Sequence, residues 1–279
     1  MKSILVPVEL HSSVDSVFQC ALQAAQHFRG HIDALPLIQR SWEYDELTIP
    51  EWTPSLEAYE SRMMDMVAEA KERFVSFMEG VQAPLSMNSE HQFTHAFETA
   101  KTLNDRAVAN YARVFDLIVL GRPGKGSDNP RISCVETVLF ESGRPVLLAP
   151  PQAPSTLGET VVIAWNQSME AARATAYAMP FLKRAKKVFI LTIEAHNVDG
   201  PSAEELASRL ALHSIPVEIV HKLGRNRAAG VAYLEDSVSL GADLMIKGAY
   251  TQSRLREMIF GGATAHILTN AKIPVLMAN

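Results

Sequence analysis

Cysteine is scarce: Cys20 and Cys134 are the only two in 279 residues, far apart and in no CxxC or CxxH spacing. That excludes a disulfide scaffold and a cysteine metal centre, and it suits a reducing compartment, so the expected location is the cytoplasm. Long apolar runs are missing too. The longest fall far short of the roughly 18 residues a membrane helix needs, and no membrane partner is expected. The opening MKSILVPVEL is too short in its apolar part for a signal peptide and reads as a first buried strand. Positive charge is also in deficit: 26 Lys and Arg against 31 Asp and Glu leave a net charge of -5. No basic block interleaves with aromatics, so no nucleic-acid partner is expected either.

Catalytic signatures are equally thin. There is no nucleophile elbow and no HExxH, and no Asp or Glu pair is fixed by spacing as acid and base. Gly124-Lys125-Gly126-Ser127 is not a Walker loop, because Gly126 follows the Gly-Lys pair and Val119 stands where the leading Gly belongs. The chain is therefore not expected to be an enzyme, with slow ATP hydrolysis by a bound water left open. His91-x3-His95 puts two imidazoles on one side of a strand without a third ligand, so surface histidines are expected there and no metal. Cys134 reads as a small buried residue rather than a redox sensor.

What the chain does contain is one pattern written twice. SILVPVE, HIDALPLI, DLIVLGRP and RPVLLAP are answered by TVVIAWN, KVFILTI, DLMIKGAY and IPVLMAN, and PQAPSTLGE (151 to 159) has the composition of a linker. Two domains follow, 1–152 and 159–279. Asp116 and Asp243, Gly121 and Gly248, and Thr137 and Thr264 are each 127 apart (243−116, 248−121, 264−137), whereas Val8 and Trp165 are 157 apart (165−8). The first half thus carries 30 extra residues (157−127) before its fourth strand, placed between Ile38 and Glu90 as a lengthened helix, 55 to 79, and its approach through Trp42 and Trp52. Each half alternates strand and helix over five strands whose apolar runs suit burial on both faces. The fold class is α/β, with two tandem doubly wound, five-stranded parallel sheets.

Chemistry concentrates in ADLMIKGAYTQSRLREMIFGGATAHIL, 242 to 268. An apolar strand ends at Gly248, a loop carrying Arg254 and Arg256 follows, and Gly261-Gly262 opens a helix with Ala263, Ile267 and Leu268 on one face. Glycines let backbone amides approach an anion, and a helix start adds unpaired donors and a positive dipole end. Ligands of doubly wound sheets sit at the switch point beyond the strand ends, which brings Ala164, Trp165 and Asn166 beside Gly248. The plainer alternative is a glycine-rich helix start with Trp165 filling the core.

The spacing Gly248-x2-Thr251-x9-Gly261-Gly262 resembles the G-x2-G-x9-G-(S/T) loop of the universal stress protein family, and nearly the whole chain is similar to its tandem two-domain form. That resemblance implies strand order 3-2-1-4-5 in each half. It also implies that the final strands, 146 to 149 and 275 to 278, pair across the domains as an intramolecular pseudo-dimer, a homodimer of the whole chain being a further option. It implies an adenine nucleotide, ATP or AMP, in the second half, with magnesium as its companion ion and no catalysis. The backbone amides of Gly248, Gly261, Gly262 and Ala263 would hold phosphates, helped by Thr264 or Ser253 and by Arg254, with Thr251 in the loop and the base near Ala164, Trp165 and Asn166. Thr251 replaces a family Gly, Gly262 a Ser or Thr, and Asn166 an Asp. The implied role is a stress sensor or adaptor with an unknown protein partner. The alternative is a nucleotide-free interaction scaffold using the 55 to 79 helix. In the first half Cys134 and Val135 replace the paired glycines, Pro123 removes a donor and Glu9 replaces the Asp, so no ATP is expected there.

Overall fold

Strands made of Val, Ile and Leu on both faces must be covered on both sides, and the helices that alternate with them supply the cover. The structure is a computed structural model that describes every residue except 39–55, 82–92, 100–103, 125, 127, 195, 225–226 and 251–261, and the side chains of residues 56, 57 and 59. The first half runs β1 (Ser3–Val8), α1 (Val14–Phe28), β2 (His31–Pro36), α2 (Leu56–Gly80), β3 (Thr94–Phe97), α3 (Asp105–Ala112), β4 (Leu117–Gly121), α4 (Ile132–Glu141) and β5 (Val146–Ala149). The second runs β6 (Thr160–Ala164), α5 (Met169–Leu182), β7 (Lys187–Ile193), α6 (Ala203–Ala211), β8 (Glu218–Lys222), α7 (Ala229–Ser239), β9 (Leu244–Gly248), α8 (Ala263–Asn270) and β10 (Val275–Ala278).

The strands form one ten-stranded sheet, ordered β3-β2-β1-β4-β5-β10-β9-β6-β7-β8. Each half has the order 3-2-1-4-5 that the resemblance implies, with all pairs parallel as the sequence predicts. The halves join where β5 and β10 pair antiparallel, with Leu276 opposite Leu147 and Met277 opposite Val146. The two expected sheets are therefore fused into one.

Alternation along each strand divides the core between the two sheet faces. One face packs on α1, α2, α5 and α6, with Phe18, Phe74 and Phe181 at its centre. The other packs on α3, α4, α7 and α8, around Val108, Leu139, Tyr233 and Ile267. Phe28 of α1 meets Phe181 of α5 edge to face at 4.7 Å, joining the halves a second time. The lengthened helix, α2, covers β2 with Ala70, Phe74 and Met78 at four-residue spacing, the repeat of one helix face. Among the described residues no helix is long and apolar enough to cross a membrane.

Candidate functional site at the carboxyl ends of β6 and β9

The switch point lies between β6 and β9, where Ala164 and Lys247 are register partners and Gly248 is the next residue out. Gly248 has a packing reason to be glycine. A Cβ there would lie 2.4 Å from the backbone N of Ala171 and 2.6 Å from the carbonyl carbon of Glu170, so only glycine admits the first turn of α5. Gly121 holds the matching place in the first half, where a Cβ would meet the Pro130 ring and the His11 imidazole.

Helix α8 starts from Gly262, which has ordinary extended backbone angles and provides no side-chain cap. The start is set by α7, because a Cβ on Gly230 would lie 2.7 Å from the carbonyl oxygen of Ala263. Gly230 was not singled out in the sequence, and only the helix contact reveals its purpose. Thr264 is 1 % exposed, and its Oγ1 accepts the Tyr250 backbone N–H at 3.1 Å. This hydroxyl ties the end of β9 to α8 from inside. Thr251, Ser253, Arg254 and Gly261, together with Arg256, lie outside the described residues.

On β6, Trp165 is 2 % exposed, and its indole N–H donates to the Pro201 carbonyl at 3.0 Å, so the ring is packed into the core. Asn166 is buried, and its backbone carbonyl accepts the Val198 N–H at 3.1 Å, closing the chain after β7 over the end of β6.

Lys247 is the residue the sequence reading missed. It is 3 % exposed, its Nζ donates to the Gly248 carbonyl at 2.9 Å, and the ammonium stands 6.0 Å from the centre of the Tyr233 ring. Tyr233 in turn donates its hydroxyl to the Trp165 carbonyl at 3.2 Å. A signal was available in the repeat, since DLMIKGAY sets a lysine where DLIVLGRP has Leu120 (247−127).

The first half fills the equivalent place with its own charges. Arg131, at the amino end of α4, donates its backbone N–H to Glu9 Oε2 at 3.3 Å, while its guanidinium binds Glu9 through Nε and Asp105 Oδ1 at 3.0 Å. Burial works against the Arg131 charge, but the carboxylates of Glu9 and Asp105 outweigh it and hold the guanidinium above its ordinary pKa. The cavity bounded by Glu9, His11, Gly121 and Arg131 measures about 10 Å³, room for no more than a water. At the offsets of the repeat, the three charges become Asn166 (9+157), Met258 (131+127) and Ala232 (105+127).

No protein-family model matches the chain. A universal stress protein of Synechocystis sp. is 27% identical over 169 residues, which cover 58% of this chain and 57% of that protein. A universal stress protein from Archaeoglobus fulgidus superposes with a TM-score of 0.74 at 16% identity, over 99% of this chain and 96% of that one. The chain is thus similar to one universal stress protein in sequence and to another in fold. The match to the Synechocystis relative spans little more than half of its length, and the likeness in fold to the Archaeoglobus protein covers both halves. A functionally unknown Pseudomonas aeruginosa protein shares the fold at a TM-score of 0.52 and 14% identity.

Other candidate groups of the chain are taken up in packing. Burial pushes the thiols of Cys134 and Cys20 far above their usual range, so neither supplies a thiolate. His91 lies outside the described residues. His95 is buried on β3 with its ring 5.7 Å from that of Phe74, which corrects the reading of a surface histidine. Among the described residues no group of three His, Cys, Asp or Glu could hold a metal ion.

Proposed function

We propose that the second half, 159–279, binds an adenine nucleotide without catalysis, as a cytoplasmic stress sensor or adaptor, while the first half, 1–152, does not bind it. The observation that carries this reading is the contrast in charge between two copies of one site. In the first half an intramolecular carboxylate, Glu9, takes the backbone N–H at the start of α4 together with the Arg131 guanidinium. In the second half that carboxylate is the neutral Asn166, α8 starts without a side-chain cap, and a buried ammonium, Lys247, has been added to β9. Amides at a helix start and a buried ammonium at the end of β9 each favour negative charge, and phosphate oxygens suit both. Magnesium would accompany ATP there, and Gly261, Gly262 and Ala263 would supply amides.

Calorimetry with ATP, ADP and AMP tests the reading on wild type, Gly261→Val and Lys247→Leu. Saturable heat is expected for the wild type, none for Gly261→Val, and affinity weakened about tenfold or more for Lys247→Leu, the scale of one charge-assisted hydrogen bond. Wild-type protein that gives no heat with any of the three at millimolar concentration ends the nucleotide reading.

One observation favours the second reading, a nucleotide-free scaffold. Met64 on α2 is 70 % exposed beside Met63, Val67 and Ala68, an apolar strip on a helix whose other face is committed to the core. Loss of a protein partner on Met64→Glu, in a chain that binds no nucleotide, would favour it.

A further inference from the structure

We propose that Tyr250 is a positioning residue through which the first half holds the end of β9 and the first turn of α8, so that ligand affinity in the second half depends on Glu136 and Phe140 of the first. The ligand in this statement rests on the nucleotide reading above, whereas the strut itself does not.

Contacts with α8 and with α4 meet on this side chain and its amide. The Tyr250 N–H donates to Thr264 Oγ1 at 3.1 Å, pinning the end of β9 to the first turn of α8. Its ring packs against Phe140 of α4, centres 4.8 Å apart and tilted by 37°. Its hydroxyl donates to Glu136 Oε1 at 2.5 Å, a charge-assisted bond to a helix of the other half. The residue is 6 % exposed, so the bond works in a medium that screens it little.

The backbone shows that this placement is imposed. Tyr250 has φ of +57°, in the left-handed region that a bulky side chain avoids, and such a conformation persists where surrounding contacts over-determine it. The contacts that do so come from α8 on one side and α4 on the other. Release of the hydroxyl and ring would let the backbone leave that conformation and loosen the bond from its N–H to the first turn of α8.

The arrangement runs one way. The repeat places Pro123 where the second half has Tyr250 (250−127), and it places Ala263 and Ile267 where the first has Glu136 and Phe140 (136+127, 140+127). Proline has no N–H to give and no ring hydroxyl, and neither Ala263 nor Ile267 can accept one. The first half therefore has no equivalent strut reaching into the second. The half whose own cleft is closed by Glu9 and Arg131 keeps a structural hold on the cleft of its neighbour.

Glu136→Gln and Tyr250→Phe preserve volume and the aromatic contact while weakening or deleting the hydrogen bond between these two side chains. Amide hydrogen exchange in the unliganded full chain reads the strut directly: peptides covering Tyr250 and the first turn of α8 should exchange about tenfold faster in either variant. Exchange in β1 and β6 should be unchanged. ATP affinity should fall about tenfold in each single variant and no further in the double one, because both remove the same interaction. Unchanged exchange at α8 in Glu136→Gln overturns the proposal, as does wild-type ATP affinity in a variant whose exchange has risen. If wild-type protein takes up no ATP, the nucleotide reading fails, and the exchange experiment still decides whether the first half holds this segment.

Discussion

Glu9 and Arg131 close the first-half cleft on themselves: one carboxylate accepts both the backbone N–H and the guanidinium of one arginine at the start of α4. A helix start and a cation attract an anion wherever they meet, and here the anion is 122 residues away in the same chain. The second half, built on the same plan, replaces both partners and adds Lys247 one strand position from Gly248.

Glu9→Gln should therefore destabilise the protein by about 2–3 kcal/mol, the scale of a charge-assisted bond broken around a guanidinium that stays partly buried. Urea unfolding measures it. The pair Glu9→Gln with Arg131→Met should cost less than the sum of the single changes, since the second change removes the group the first leaves stranded. Strict additivity would show that the two side chains act independently.

His11 should make stability depend on pH. Its Nδ1 accepts the Ser13 N–H at 3.2 Å, and burial lowers its pKa from 6.5 to about 4 against the opposing pull of Asp128. The unfolded chain therefore takes up this proton at higher pH than the folded one. The contribution is fully present above 6.5, falls as pH drops through the interval, and is gone below about 4. Unfolding free energies measured across that window should slope less in His11→Asn than in the wild type. Equal slopes would mean that the imidazole titrates alike in both states.

Gly248→Ala tests whether the glycine at the end of β9 answers to packing. A Cβ only 2.4 Å from the Ala171 nitrogen forces β9 and α5 apart, which should cost about 1–3 kcal/mol with or without nucleotide. A lowered thermal midpoint in the unliganded protein is the expected result. A wild-type midpoint combined with lost ATP affinity would reassign Gly248 to the ligand.

Much of the fold was legible because repetition and strand composition are one-dimensional. Asp116 and Asp243 illustrate this: each stands ahead of a fourth strand and accepts backbone amides at the start of the first, those of Lys2 and Ser3 in one half and of Gly158, Glu159 and Thr160 in the other. A conserved offset between such residues is enough to align the halves and to place their parallel strands. The site was less legible. Gly248 and Trp165 stood out for chemistry that binding would need, and the close approach of α5 to the first and the burial of the second were not readable from the string. Lys247 passed unnoticed inside an apolar run.

By itself, the sequence determined the alternation of strands and helices, the two copies and the place of the switch point, since these depend on periodicity and spacing that any observer of the string can count. Only the tertiary structure decided that the first cleft is closed by Glu9 and Arg131, that Lys247 is buried at the second, and that Tyr250 reaches across to Glu136. Those facts depend on which residues distant in sequence come within a few ångströms, and burial converts an ordinary lysine or tyrosine into a strongly interacting group only once that happens.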